Sequence, residues 1–425
     1  MNQQTLYTAD IVVPITAAPI ANGAIHVNDG QIVAVGLAKD LRAAAPSAEI
    51  VDFGQAILMP PLVNAHTHLE LTDFPDWEKA GAGGSGLAAG DGFVDWILQL
   101  IQIKHGLEPE QLQRSVEHGL EQILKTGTGA ICDVLSVANL DQCYQESPLF
   151  GWLCYELIGQ DDGMGSVLPM MAGDWLQAVK LNSLQRGLSP HSPYTVGPAT
   201  LHKLAEMARN SDVLSTIHAA ESTDETAFLD SSTGAIASKL YPTVGWQPPA
   251  PLSIDTVGYL EATEALTPGY LLVHGVQFDA DAIRKISRSG GTVVLCPRSN
   301  ARLGVGVAPI ESYLCQEVNL ALGTDSMASN DSLSLWDEMA YAREVYGPTL
   351  SPVMLLAMAT INGARALRVD DRLGALQSGT AASFQVLKPH QLPALADVAD
   401  FLCRAERGEE VVHLYLDNKD VLAVS

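Results

Sequence analysis

The 425-residue sequence predicts an α/β fold: a (β/α)8 barrel with a small composite β-sandwich built from both chain termini. Three observations carry that prediction. Short apolar runs alternate with longer helical patterns through the middle of the chain, the signature of a parallel α/β unit. Both ends are strand-rich instead. Several central strand candidates end in a polar side chain (His218, His274, Asp325), and barrels of this kind place their chemistry at strand C-termini. The length suits one large barrel plus a modest second unit.

In chain order, residues 6–7, 10–13, 24–27 and 31–35 are β-rich runs, with Asn22-Gly23 and Asn28-Asp29-Gly30 reading as hairpin turns. Similar texture returns at 384–387 and 411–416, so residues 1–58 and 368–425 are expected to form one β-domain. Residues 59–367 are expected to form the barrel. Its strand candidates are 130–134, 151–157, 214–218, 270–274, 292–296 and 320–325, and helical patterns run through 109–125, 199–209 and 279–289. Residues 72–93 read as one long glycine-rich loop that covers a site. Gly81 to Gly86 formally satisfy G-x-G-x-x-G, but the run neither follows a buried strand nor opens a helix, so a dinucleotide loop is rejected. Trp96, Ile97, Leu100 and Ile101 form a helical apolar stripe that reads as core.

Composition narrows the partners. Hydrophobic residues make up 47% and charged residues 17%, which supports a sizeable core and excludes wholesale disorder. Twenty-four Lys and Arg against 49 Asp and Glu give a net charge of −25. That field repels nucleic-acid polymers and anionic membranes, while leaving a small molecule or single nucleoside admissible. Six cysteines without a C-x-x-C pair argue against a disulfide framework or zinc knuckle and suit a reducing cytoplasm. The charge-free stretch 11–28 is broken by Pro14, Pro19, Asn22 and Gly23, so no membrane span is expected, and the first ten residues lack a signal-peptide pattern.

The chemistry concentrates in Pro60-Pro61-Leu62-Val63-Asn64-Ala65-His66-Thr67-His68-Leu69-Glu70. At i and i+2 of an extended segment, His66 and His68 point to the same side and can share one metal ion. His218 and Asp325 close two later strand candidates. Three nitrogens and one carboxylate suit a single divalent ion, zinc first and iron second, with a position left for water. Glu221, three residues beyond His218, is placed to move that water's proton. His274 is placed to polarise the water or the developing tetrahedral centre.

These segments, with Ser189-Pro190-His191-Ser192-Pro193-Tyr194, Cys296-Pro297-Arg298-Ser299-Asn300 and Leu322-Gly323-Thr324-Asp325-Ser326, resemble the amidohydrolase superfamily. Within it they are most similar to the metal-dependent nucleoside and aminoazine deaminases, including the aminodeoxyfutalosine and methylthioadenosine/S-adenosylhomocysteine deaminases. The resemblance implies His66, His68, His218 and Asp325 as ligands of one metal ion, Glu221 as proton shuttle, and His274 and Asp325 as partners of the hydrolytic water. It implies substrate contacts from His191, and from Glu70 in His-Thr-His-Leu-Glu-Leu. Two-metal members carry a carbamylated lysine at the end of the fourth barrel strand. The run taken to correspond, 152–157, has none, so one metal is expected. The implied reaction is hydrolytic release of ammonia from an adenine-type nucleoside, and the resemblance suggests a homodimer as the assembly. Two rivals remain: hydrolysis of another aminated or chlorinated heterocycle or imino acid, and a silent metal-stabilised scaffold.

Overall fold

Strands from the two ends of the chain share one sheet. In the computed structural model, which describes residues 4–81, 92–161 and 163–423, strands Gln4–Val12, Ile20–Asn28, Gln31–Leu37, Glu49–Asp52 and Ile57–Met59 join Phe384–Leu387, Val411–Leu416 and Lys419–Asp420 in one mixed eight-stranded sheet. The join is the antiparallel pairing of Ile57–Met59 with Phe384–Leu387. Side chains from both ends, among them Tyr7, Ile25, Ile32, Leu58, Phe384 and Val386, meet in one buried cluster. Tyr7, Phe384 and Tyr415 pack ring against ring there.

Two sequence expectations change here. The runs 6–7 and 10–13 are parts of a single strand. Asn22-Gly23 is not a turn but lies inside the second strand, where a Cβ on Gly23 would fall 2.6 Å from Val12 Cγ2, so close approach explains the glycine. Asn28-Asp29-Gly30 is the expected hairpin turn, with Asp29 and Gly30 at φ of 49° and 78°.

The middle of the chain forms eight parallel strands: Leu62–Thr67, Thr128–Leu135, Phe150–Leu157, Leu184–Pro190, Ser215–Ala219, Tyr270–His274, Thr292–Leu295 and Asn319–Leu322. They are the first to eighth barrel strands. The ring closes between the eighth and the first without a ladder: Asn64 Nδ2 donates to Thr324 Oγ1 (2.7 Å), Thr324 N–H donates to Asn64 Oδ1 (3.1 Å), and a bridge joins Thr67 to Asp325. Helices fill the crossovers, among them Pro109–Lys125, Pro198–Ser211 and Ala280–Ser289. The last is capped by Asp279, whose carboxylate accepts from the N–H groups of Asp281 and Ala282.

The fourth strand, Leu184–Pro190, escapes sequence detection because its run Leu-Gln-Arg-Gly-Leu-Ser-Pro lacks an apolar block. Gly187 is required there, since a Cβ would lie 2.6 Å from Leu214 O and 2.7 Å from Cys154 Sγ. The segment 72–93 is also not one loop. Helix Phe74–Lys79 occupies its start and buries Phe74 and Trp77, while its glycine-rich part, 82–91, lies outside the described residues.

Strand alternation sorts the barrel's side chains. Val63, Ala130, Cys132, Trp152, Val273 and Val294 fill the interior, and Leu153, Leu157, Leu272 and Leu322 face the helices. Below, residues 364–373 and Leu414 plug the interior, and Trp152 Nε1 donates to Leu367 O at 2.6 Å. Above lie the polar side chains of His66, His68, Glu156, His218, His274 and Asp325. No helix among the described residues is long and apolar enough to cross a membrane.

Candidate metal centre and active site

The polar layer begins with a distortion. Pairing of the first strand with the second shifts register between Asn64 and Thr67, a bulge that re-aims the chain beneath His66 and His68. The backbone just beyond is pinned where Leu69 N–H donates to Asp133 Oδ1 (2.9 Å), and the Tyr144 hydroxyl holds the other oxygen of that buried carboxylate. His218 rises from the fifth strand. Its Nδ1 lies 2.9 Å from His191 O and donates to it, which turns the Nε2 lone pair toward His66 and His68.

Asp325 completes the group from the loop after the eighth strand, in a left-handed conformation (φ 57°). Its Oδ2 accepts from Ser299 Oγ (2.6 Å) and Ser329 Oγ (2.7 Å). Its Oδ1 therefore faces His66 Nε2 at 3.5 Å and His68 Nε2 at 3.7 Å. Burial opposes charge on this carboxylate, but His66, His274 and His68 outweigh it and hold the group well below the usual carboxylate range.

Ligand atoms of His66, His68, His218 and Asp325 all lie within 4.8 Å of one another, and all four residues are buried. Both ring nitrogens of His66 are buried without a hydrogen-bond partner among the described residues. Such orphaned nitrogens are costly unless something else uses their lone pairs. Burial first, and neighbouring imidazoles second, push His68 and His218 well below the ordinary histidine value, so both rings are neutral and able to ligate. The donor set fits one divalent ion.

Glu221 and His274 stand beside this group. Alternation in the sixth strand, with Leu271 and Val273 inward, would send His274 outward. A φ of 73° turns it back into the interior, and its Nδ1 sits 2.8 Å from Asn300 Oδ1. Its Nε2, without a hydrogen-bond partner among the described residues, lies 3.5 Å from Glu221 Oε1. Burial pulls His274 down to about 4. Burial, reinforced by Asp325 and Glu225, raises Glu221 well above the usual carboxylate range. The turn carrying Glu221 is fixed by Glu225, whose carboxylate accepts from Ala220 N–H (2.8 Å) and Glu221 N–H (3.2 Å).

His68, His218, Asp325, Glu221 and His274 share the wall of one cavity of about 960 Å³. His191, at the end of the fourth strand, lines it, with Nδ1 2.9 Å from Thr195 Oγ1. Glu70 does not line it. One Glu70 oxygen meets Lys104 Nζ and Ser136 Oγ (both 2.6 Å) and the other accepts from Ser136 N–H (2.9 Å), so Glu70 holds two cavity-lining residues from behind. Burial opposes charge on Lys104, yet Glu70 and Glu156 outweigh it and raise its pKa.

Sequence reasoning missed three parts of this cavity. The stripe expected to be core is its wall: Trp96, Ile97, Leu100 and Ile101 of helix Phe93–His105 line the space, and Trp96 Nε1 donates to Ala328 O (3.0 Å) beside Asp325. Lys104 follows on the same helix face, a spacing readable in the sequence once the helix is known to roof a site. Glu156 went unnoticed because the 152–157 run was assigned to the fourth barrel strand. That assignment is corrected: the run lies in the third strand, and the fourth is Leu184–Pro190. Neither strand contains a lysine, so no bridging residue for a second ion is supplied there.

Residues 57–406 match the amidohydrolase family. The chain is 29% identical over 426 residues to a 5-methylthioadenosine/S-adenosylhomocysteine deaminase of Moorella thermoacetica, covering 97% of this chain and 92% of that protein. Aminofutalosine deaminase from Helicobacter pylori, solved with methylthio-coformycin, superposes with a TM-score of 0.86 at 22% identity, covering 98% of this chain and all of that one. A zinc-bound adenosine deaminase from Xanthomonas campestris gives 0.77 at 24% identity, covering 99% and 93%. With most of its length matched to that family and its barrel and polar layer in place, the chain belongs to the amidohydrolase family.

Proposed function

We propose that the protein is a metal-dependent hydrolytic deaminase that releases ammonia from an adenine-type nucleoside. One observation carries the reading: a buried three-histidine, one-aspartate ligand group borders a cavity large enough for a nucleoside, together with Glu221, itself 3.5 Å from His274. The similarity to deaminases of adenine nucleosides supports the substrate class. We assign residues 1–58 and 368–425 to one supporting β-domain and residues 59–367 to the barrel, a division supported by the sheet that joins both termini.

His66, His68, His218 and Asp325 would hold the ion, zinc in preference to iron, in keeping with the zinc-bound adenosine deaminase of the same fold. When bound, the ion lowers the pKa of a water toward about 7. The protein's own groups do the rest. Asp325 and His274 orient the attacking oxygen toward the amine-bearing ring carbon. Glu221 takes a proton from the water and delivers it to the adjacent ring nitrogen; the remaining hydroxyl proton then passes to the amine, the C–N bond breaks to release ammonia, and the carbon becomes a carbonyl. Burial keeps Glu221 ready to carry that proton. His191 and the Trp96 wall hold the nucleoside and exclude bulk water.

The test is metal-loaded protein assayed for ammonia release and for the ultraviolet change from an adenine to a hypoxanthine chromophore. Both signals are expected with adenosine-like substrates. Release of chloride or alkylamine from triazines, with no ammonia from any nucleoside, would overturn the reading.

A further inference from the structure

Two short segments from different parts of the chain aim the groups at the top of the barrel. Helix Pro297–Arg302, after the seventh strand, carries Ser299, which donates to Asp325 Oδ2 (2.6 Å), and Asn300, whose Oδ1 lies 2.8 Å from His274 Nδ1. The loop after the eighth strand carries Asp325 itself and Ser329, which donates to the same Oδ2 (2.7 Å). These contacts aim Asp325 and His274 only while the two segments keep their places beside each other.

Both segments are tied to one side chain. Glu338, in the first turn of helix Leu335–Tyr346, is fully buried and stands behind the cavity wall rather than in it. Its Oε2 accepts from the N–H of Arg298, the residue before Ser299 (3.3 Å). Its Oε1 accepts from Nδ2 of Asn330, the residue after Ser329 (2.6 Å). The same Asn330 nitrogen donates to Thr324 O (2.7 Å), while Asn330 Oδ1 accepts from Arg298 Nε (3.1 Å) and Asp331 N–H (2.8 Å). A flipped amide would set its oxygen against a carboxyl group and a carbonyl, so one orientation is enforced. The loop is thereby gripped on both sides of Asp325, at Thr324 and at Asn330.

A buried carboxyl group is costlier than a well-packed apolar side chain of the same size. What it adds here is a pair of acceptors on one rigid group, which hold two segments at a fixed separation. We propose that Glu338 is a positioning residue that clamps the Ser299–Asn300 segment to the Asp325 loop, so that the metal ligand and His274 are aimed together. Its effect on turnover rests on the deaminase reading; its effect on the ligand group does not.

The experiment compares wild type with Glu338→Met, which removes both acceptors, and Glu338→Gln, which keeps one. Trp152→Ala serves as a control that destabilises the opposite end of the barrel. Each apo-protein is titrated with Zn2+ and Co2+ against a chelator and then assayed on adenosine, with rates given per folded molecule. Glu338→Met should weaken metal affinity and lower kcat by about 10- to 100-fold, the scale for groups that orient ligands from behind. Glu338→Gln should fall between it and wild type, which keeps the test open if the Met variant does not fold. KM for adenosine should change by less than about 3-fold, because no substrate contact is altered. The Co2+ absorption bands should shift in both variants and not in Trp152→Ala. Adding Ser329→Ala to either variant should cost less metal affinity than the two single losses together, since both act through Asp325 Oδ2. Wild-type metal affinity or an unshifted Co2+ spectrum in either folded variant would overturn the proposal. So would fully additive losses, or losses matched by Trp152→Ala, which would mean that Glu338 only stabilises the fold. If adenosine releases no ammonia even with wild type, the deaminase reading fails, and the metal affinities and Co2+ spectra still decide the role of Glu338.

Discussion

The two ends of the barrel are built from the same eight strands and solve opposite problems. At the lower end, apolar side chains from residues 364–373 and Leu414 close the interior, and the buried Trp152 N–H finds an acceptor in Leu367 O. At the upper end, both His66 nitrogens and His274 Nε2 are buried without hydrogen-bond partners among the described residues, and His274, Asp325 and Ala220 all take left-handed backbone conformations. One end maximises stability. The other stores polar groups that only a ligand can satisfy, so stability and function are separable along one axis.

The sharpest way to break the comparison is to remove a ligand at the upper end. Asp325→Ala should abolish metal retention and lower kcat/KM by at least about 10⁴-fold, checked by elemental analysis and ammonia assay, with the apo-protein's thermal midpoint unchanged or raised. Glu221→Gln should keep the metal and lose about 10²- to 10⁴-fold in kcat. Retained metal with lost turnover would separate proton transfer from ligation. At the lower end, Trp152→Ala should cost about 3–5 kcal/mol in denaturant unfolding while turnover per folded molecule persists. Ser329→Ala, which removes one of two donors to Asp325 Oδ2, should weaken metal affinity by about 10-fold in a chelator competition. A pH-dependent effect concerns Glu338, which accepts from Asn330 Nδ2 (2.6 Å) and which burial raises from 4.5 to about 8. The folded state holds its proton where the unfolded chain has lost it, so its contribution is fully present below pH 4.5 and lost as pH rises through 8. Glu338→Gln should flatten the decline in stability over that window.

Legibility in the sequence followed the same axis. The strand ends carrying His218 and His274, and Asp325 just past the eighth strand, were readable because apolar runs mark their positions, and the His66–His68 pair because two histidines two residues apart are conspicuous. The barrel and the pairing of the termini followed from alternation and texture. Leu184–Pro190 was not readable, because a strand that passes close to Leu214 and Cys154 needs a glycine where a strand pattern wants an apolar residue. Trp96 and its stripe looked like core because a helix face turned toward a cavity has the same periodicity as one turned toward a sheet. Glu156 needed the strand order to reveal which way it points. The inward aim of His274 depends on one positive φ, which no residue pattern announces.

The closing bonds between Asn64 and Thr324 join residues 260 positions apart, and His66 and Asp325 sit on the same seam. A ligand group assembled across that seam does not exist in any partly folded chain that lacks either edge strand. Binding of the ion would therefore come late in folding, and its binding energy would favour the closed ring over open ones. In a cell, metal scarcity would then weaken the bias toward the sealed ring as well as abolish turnover.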